Sequence, residues 1–164
     1  MRFEVVKYDP GNNRIEISDN YELVERPQET FELQYLPESL QDDLREALTC
    51  YSNLCFNAFA AMSRRCIQSA SMELGTEGSS KVQNQLKDLR DMGVVDDEAF
   101  DQLKQIILTG HDGAHPHLPS LSPQRAAILL ELMKDILYQL FVRRAKIKES
   151  SVLRKAALES EKSK

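Results

Sequence analysis

Apolar positions along the chain change their period near residue 37. Before it they alternate: Phe3 and Val5, then Ile15 and Ile17, flank Asp9-Pro10-Gly11-Asn12-Asn13, residues that tolerate tight backbone geometry. This pattern predicts a β-hairpin. Tyr21-Glu22-Leu23-Val24 and Phe31-Glu32-Leu33-Gln34-Tyr35 alternate again around Arg26-Pro27. The expectation is therefore a small two- or three-stranded sheet that leans on helices, because so few strands are marginal alone.

From Pro37 onward Leu40, Leu44, Ala47, Leu48, Tyr51, Leu54, Ala58, Met62, Cys66, Ala70 and Leu74 recur in steps of three and four, the signature of one helical face. Ser39 with Asp42 reads as a capping-box start, and Gly75 as the stop. One helix over the whole stretch is long for a globular domain, so a division near Ser52-Asn53 competes with it. Ser80 and Gln83 form a second capping box ahead of Val82, Leu86 and Leu89, a short amphipathic helix closed by Gly93. Asp96 and Asp97 open the next, with Phe100, Leu103, Ile106 and Ile107 on its face and Gly110 at its end. A loop from His111 to Leu121 then leads to Ser122 and Pro123, the N-cap and first residue of a last long helix. That helix is apolar on several sides through Ile128, Leu129, Leu130, Leu132, Met133, Ile136, Leu137, Leu140 and Phe141, which places it in the centre of a bundle or under a second subunit.

The fold class is thus mainly α, divided into an extended segment at 1–36 packed on the helices, a helical domain at 37–148 and a flexible charged tail at 149–164. With 164 residues, 41% hydrophobic and 29% charged, the chain is sized for one globular domain. No apolar run is long enough to span a bilayer. The N-terminus Met1-Arg2-Phe3-Glu4-Val5-Val6-Lys7 is interrupted by charges, unlike a secretory signal, so a cytoplasmic location is expected. Cys50, Cys55 and Cys66 lack CxxC spacing and are odd in number, which argues for buried, reduced thiols. Net charge is -5, unevenly spread: from Arg143 onward the balance is +5, and the remainder carries -10. An acidic body does not draw nucleic acid by its long-range field, whereas a basic terminus can do so or simply favour a helix C-terminus.

All three histidines fall in His111-Asp112-Gly113-Ala114-His115-Pro116-His117. Gly110 and Gly113 permit positive φ and close backbone approach, and Pro116 restricts His115 to an extended conformation. Three readings stay open for this cluster. Imidazoles with Asp112 could hold a metal, although no established zinc spacing is present. The histidines could cap carbonyls or bridge helices. Alternatively, His115 acts on RNA.

From Tyr35 to about Lys148 the chain resembles the prokaryotic family called domain of unknown function 4145, part of the broader HEPN superfamily of helical bundles. The resemblance lies in Tyr35-Leu36-Pro37, Arg45-Glu46-Ala47 with Cys50, Ala60-Ala61-Met62-Ser63-Arg64-Arg65, Leu86-Lys87-Asp88-Leu89, Gly93-Val94-Val95, the segment from Gly110 to Pro116, and Leu130 to Phe141. It implies a HEPN-like bundle of four to five helices, often dimeric, in a family associated with anti-phage, restriction and toxin-antitoxin systems. Active HEPN proteins are metal-independent endoribonucleases with four to six residues between an arginine and a following histidine. Here His115 matches the histidine, while Leu108, Thr109 and Gly110 occupy the arginine window and His111 replaces a usual asparagine. The resemblance therefore implies a non-enzymatic or weakly active module, with catalysis by His115 as the alternative. Arg64, Arg65, His111, Asp112 and His117 are the candidate RNA or phosphate contacts, and Lys104 or Arg125 are further cations that could substitute for the arginine. A homodimer formed through the last long helix, with RNA or a protein as partner, is expected, without cofactor, metal or membrane.

Overall fold

The computed structural model describes residues 2–9, 11–12, 14–22, 28–76 and 81–162, with side chains described outside the two strands and Lys162. It is mainly helical. Two extended segments, β1 (Arg2–Asp9) and β2 (Arg14–Glu22), pair antiparallel from Arg2 opposite Glu22 to Asp9 opposite Arg14, with register shifts between Phe3 and Lys7. No third strand joins them among the described residues. Leu23, Val24, Arg26 and Pro27, part of the expected extended stretch, lie outside those residues. Leu33–Tyr35, also expected to be extended, is a 3-10 turn in which the Leu36 N–H donates to the Leu33 carbonyl. Leu36 is buried, so the segment serves to enter the bundle at Pro37.

The apolar stripe that starts at Leu40 forms two helices, α1 (Glu38–Ser52) and α2 (Phe56–Glu73). Leu54, at φ 61°, breaks them apart in a left-handed conformation that few non-glycine residues adopt. The Ser39 capping box is not formed: Pro37 is the N-cap, and the Ser39 hydroxyl donates instead to Glu73 on the antiparallel neighbour. Gly75, at φ 98°, closes α2. The next helix, α3 (Val82–Asp91), follows Lys81 as N-cap, and the Ser80 half of the second capping box lies outside the described residues.

The fourth helix, α4 (Asp97–Ala114), starts as expected, with the Asp96 carboxylate accepting from the Ala99 N–H. Its end differs from expectation. Gly110 and Gly113 do not stop it; both are helical, and a Cβ on Gly110 would lie 2.5 Å from Arg64 Cβ and 2.7 Å from the Ala60 carbonyl. At Gly113 the corresponding atoms are Ala60 Cβ and the Asn57 carbonyl, each at 2.8 Å. The glycines thus let α4 lie directly on α2 rather than freeing a loop. Ser122 and Pro123 open α5 (Pro123–Leu137) as expected, with Ser122 Oγ accepting from the Arg125 N–H.

The core runs through α1 to α5, with Leu40, Leu44, Phe59, Ile67, Leu103, Ile106, Met133, Ile136 and Leu137 inaccessible or nearly so. Most of the apolar surplus of α5 is spent here: Ile136 is fully buried, Leu132 and Phe141 are partly so, and Ile128 alone of these is widely exposed. A π turn at Tyr138–Val142 joins α5 to α6 (Arg143–Lys162). The charged segment expected to be flexible from 149 is helical through Lys162, and its described side chains are all exposed. It contains neither Gly nor Pro and is rich in Ala, Leu, Lys, Arg and Glu, all strong helix formers. Of the cysteines, Cys66 is buried, which pushes its thiol pKa up strongly; Cys50 is half-buried and raised for the same reason, while Cys55 is exposed, contrary to expectation.

Candidate functional site

The histidine cluster sits on the last turn of α4 and the residues just past it. His111 and Asp112 belong to the helix, and His115 is its C-cap, at φ -108° and ψ 119°, the extended backbone required ahead of Pro116. The His115 N–H donates to the Asp112 carbonyl at 3.3 Å, and the Leu118 N–H to the His115 carbonyl at 3.1 Å, so a turn carries the chain away from the helix. The His111 and His115 rings lie 4.1 Å apart between centroids, and His115 and His117 5.9 Å apart. The three imidazoles form one tilted row with His115 in the middle.

The turn is tied back to α2 by Asn57. Its Oδ1 accepts from the Leu121 N–H at 2.8 Å, and its Nδ2 donates to Ser120 Oγ. This residue carried no signal in the sequence, because its partners lie more than sixty positions away. Arg125 reaches from the first turn of α5 to Asp112, at 3.0 Å, and so brings a guanidinium to the end of α4.

The adjacent arginines of α2 separate. Arg65 is paired with the mostly buried Asp43 of α1 at 2.8 Å, and Ser69 donates to the same carboxylate at 2.6 Å. Arg64 turns the other way. Together with His111, Lys81, Val82, Gln83, Ile107 and Leu108 it lines a cavity of about 400 Å³ between α2, α3 and α4. Arg64 Nε is buried and has no hydrogen-bond partner. An N–H on a charged group left in this state costs about 1–3 kcal/mol or more. Among the described residues, the wall of the cavity contains no acidic side chain.

The structure therefore brings Arg64 and His111 to one cavity, with Asp112, His115 and His117 on the adjoining turn, and leaves Arg65 at the α1–α2 contact. Lys81 carries no signal of a site in the sequence and Gln83 only that of a capping box, since it is the antiparallel return of α3 beside α4 that places both with Arg64 in the cavity. Among the described residues no group of three or more His, Cys, Asp or Glu side chains is arranged to hold a metal ion.

No curated protein and no solved structure matches the chain. A family model described as "Domain of unknown function (DUF4145)" matches residues 45–157, which include the whole of α2, α3, α4 and α5 and thus every residue of the cavity and the histidine row. The chain belongs to the DUF4145 family.

Proposed function

We propose that the protein is a HEPN-like helical module of prokaryotic defence or regulation, cytoplasmic and homodimeric, that binds single-stranded RNA with little or no cleavage. The observation that carries the RNA-binding reading is the cavity lined by Arg64, Lys81 and His111 without an acidic side chain among the described residues, next to the His115 row. A phosphodiester oxygen is a strong, compact acceptor for such side chains. Weak catalysis follows from the occupancy of the arginine window. Gly110 has no room for any side chain against α2, and Leu108 is apolar and exposed. Losing a preorganised charge-stabilising donor costs on the order of 100- to 1000-fold in rate.

Fluorescence anisotropy with a labelled oligoribonucleotide at fixed low salt tests the binding. Arg64→Ala and His115→Ala are expected to weaken it by roughly 5- to 20-fold, the loss of one charged contact, with His117→Ala milder and Arg65→Ala acting on the melt rather than on RNA. No saturable binding, or equal binding by wild type and Arg64→Ala, sinks this reading.

A second reading, metal-independent cleavage through His115, gains support from Arg125, whose guanidinium is held at the end of α4 by Asp112. An imidazole can exchange a proton near neutral pH, and this arginine would steady the charge on the phosphate. The second reading requires RNA turnover in chelator that disappears in both His115→Ala and Arg125→Ala.

A further inference from the structure

A second recess lies beside the cationic cavity and shares three wall residues with it, Gln83, Ile107 and Leu108. It has a volume of about 220 Å³ and is completed by Leu86, Phe100, Lys87 and Lys104. The two form one trough along the α3–α4 seam. Its order can be read from α4: His111, then Leu108 and Ile107, then Lys104, at three- and four-residue steps on one face. With a rise of 1.5 Å per residue, His111 and Lys104 are separated by about 10 Å along the axis. On α3 the order is reversed, with Lys81 at the His111 end and Lys87 at the Lys104 end.

The trough is thus cationic at both ends and apolar in the middle. Leu108 is 42% exposed there, an apolar side chain between the exposed His111 and Lys104 on the same face of α4. No wall residue of either recess is acidic among those described, although the protein as a whole carries -5. A lone phosphate has no use for the apolar centre, and an apolar ligand has none for the two charged ends.

We infer that the α3–α4 trough binds one nucleotide of a single strand, with its base on Ile107 and Leu108 and its flanking phosphates at Arg64/Lys81/His111 and at Lys87/Lys104. This rests on the reading of the Arg64 cavity as a phosphate site and adds to it a base subsite and a second phosphate subsite. The minimal ligand is a nucleoside 3′,5′-bisphosphate, met either free or as a unit within a longer strand. Gln83, shared by both recesses, is placed to hydrogen-bond the sugar or the base edge.

Calorimetric titrations of the full chain with inorganic phosphate, AMP, adenosine and adenosine 3′,5′-bisphosphate test this assignment. Affinity is expected to rise from phosphate to AMP by roughly tenfold, the contribution of one packed base, and again to the bisphosphate with a steeper salt dependence. Leu108→Ser, at an exposed position, is expected to reduce the ratio of AMP to phosphate affinity measured within the variant to about one. Lys104→Ala removes the gain of the bisphosphate over AMP. Equal affinity for the three phosphorylated ligands overturns the inference, as does adenosine binding as tightly as AMP. An oligoribonucleotide that still binds through Arg64 in that event leaves the RNA reading standing. Loss of Arg64-dependent binding by every ligand removes both. An oligoribonucleotide displaced competitively by the bisphosphate identifies the strand as the source of the ligand, whereas bisphosphate binding that RNA does not compete identifies the free nucleotide.

Discussion

Arg64 and Gly110 are coupled because the close approach of α4 to α2 that excludes a side chain at Gly110 is made against Arg64 Cβ, the base of a side chain that lines the cavity. A methyl group at position 110 would meet two atoms at 2.5 and 2.7 Å, one of them the Ala60 backbone carbonyl, which cannot rotate away. Gly110→Ala is therefore expected to lower stability by about 1–3 kcal/mol, the range for overpacking, and to disturb the placement of Arg64. Chemical denaturation measures the first effect and RNA or phosphate affinity the second. Gly93→Ala is a useful contrast: nothing lies within 4 Å, and its cost arises only from the positive φ of 69°. A Gly110→Ala protein as stable as wild type would show that the helices can separate at no cost and that the glycine is not what sets their distance.

At the scale of elements, local chemistry could be read directly and distant contacts could not. Asp96 and Ser122-Pro123 announced their helix starts because a cap acts within three residues of itself. Gly110 was ambiguous for the opposite reason: a glycine ends a helix through its own backbone but packs one through a partner, and Ala60 is fifty positions away. The basic pair of α2 was visible, yet successive residues on a helix point about 100° apart, so only the packing of α1 and α4 assigned Arg65 to Asp43 and Arg64 to the cavity. The helicity of the tail follows from propensity rather than burial, since α6 is built of strong helix formers while its outer residues are exposed. A truncation after Glu149 should accordingly leave the bundle intact. It keeps the Tyr35–Glu149 and Lys146–Glu32 bonds that fasten the start of α6 to the entry segment. Melts at a concentration low enough to keep the chain monomeric are expected to differ by less than about 1 kcal/mol, with circular dichroism reporting the lost helix. A larger loss would mean that residues beyond 149 are covered by the same chain.

For the whole molecule, the distribution of apolar surface and charge favours self-association through α6 rather than through α5. The flank of α5 that promised an interface is largely consumed by the core, whereas Ile147, Val152, Leu153 and Leu158 are 62%, 65%, 63% and 44% exposed on a helix that leaves the bundle. A helix of this length with no cover is marginal in water. It is also the basic part of the chain, at +5 from Arg143 onward, and the rest carries -10, so two copies offer each other complementary surfaces that a bundle of like-charged α6 helices would not. Light scattering coupled to gel filtration should show about twice the 18.7 kDa chain mass at micromolar concentration. Val152→Glu with Leu153→Glu is expected to return it to one chain mass without loss of bundle stability, because both side chains are exposed within the monomer. High salt should weaken the dimer, since exposed charges more than about 10 Å apart are largely screened at 0.1 M. A monomer under all these conditions would remove the dimer. A dimer indifferent to the double substitution and to truncation after Glu149 would move the interface back to Ile128 and its neighbours on α5.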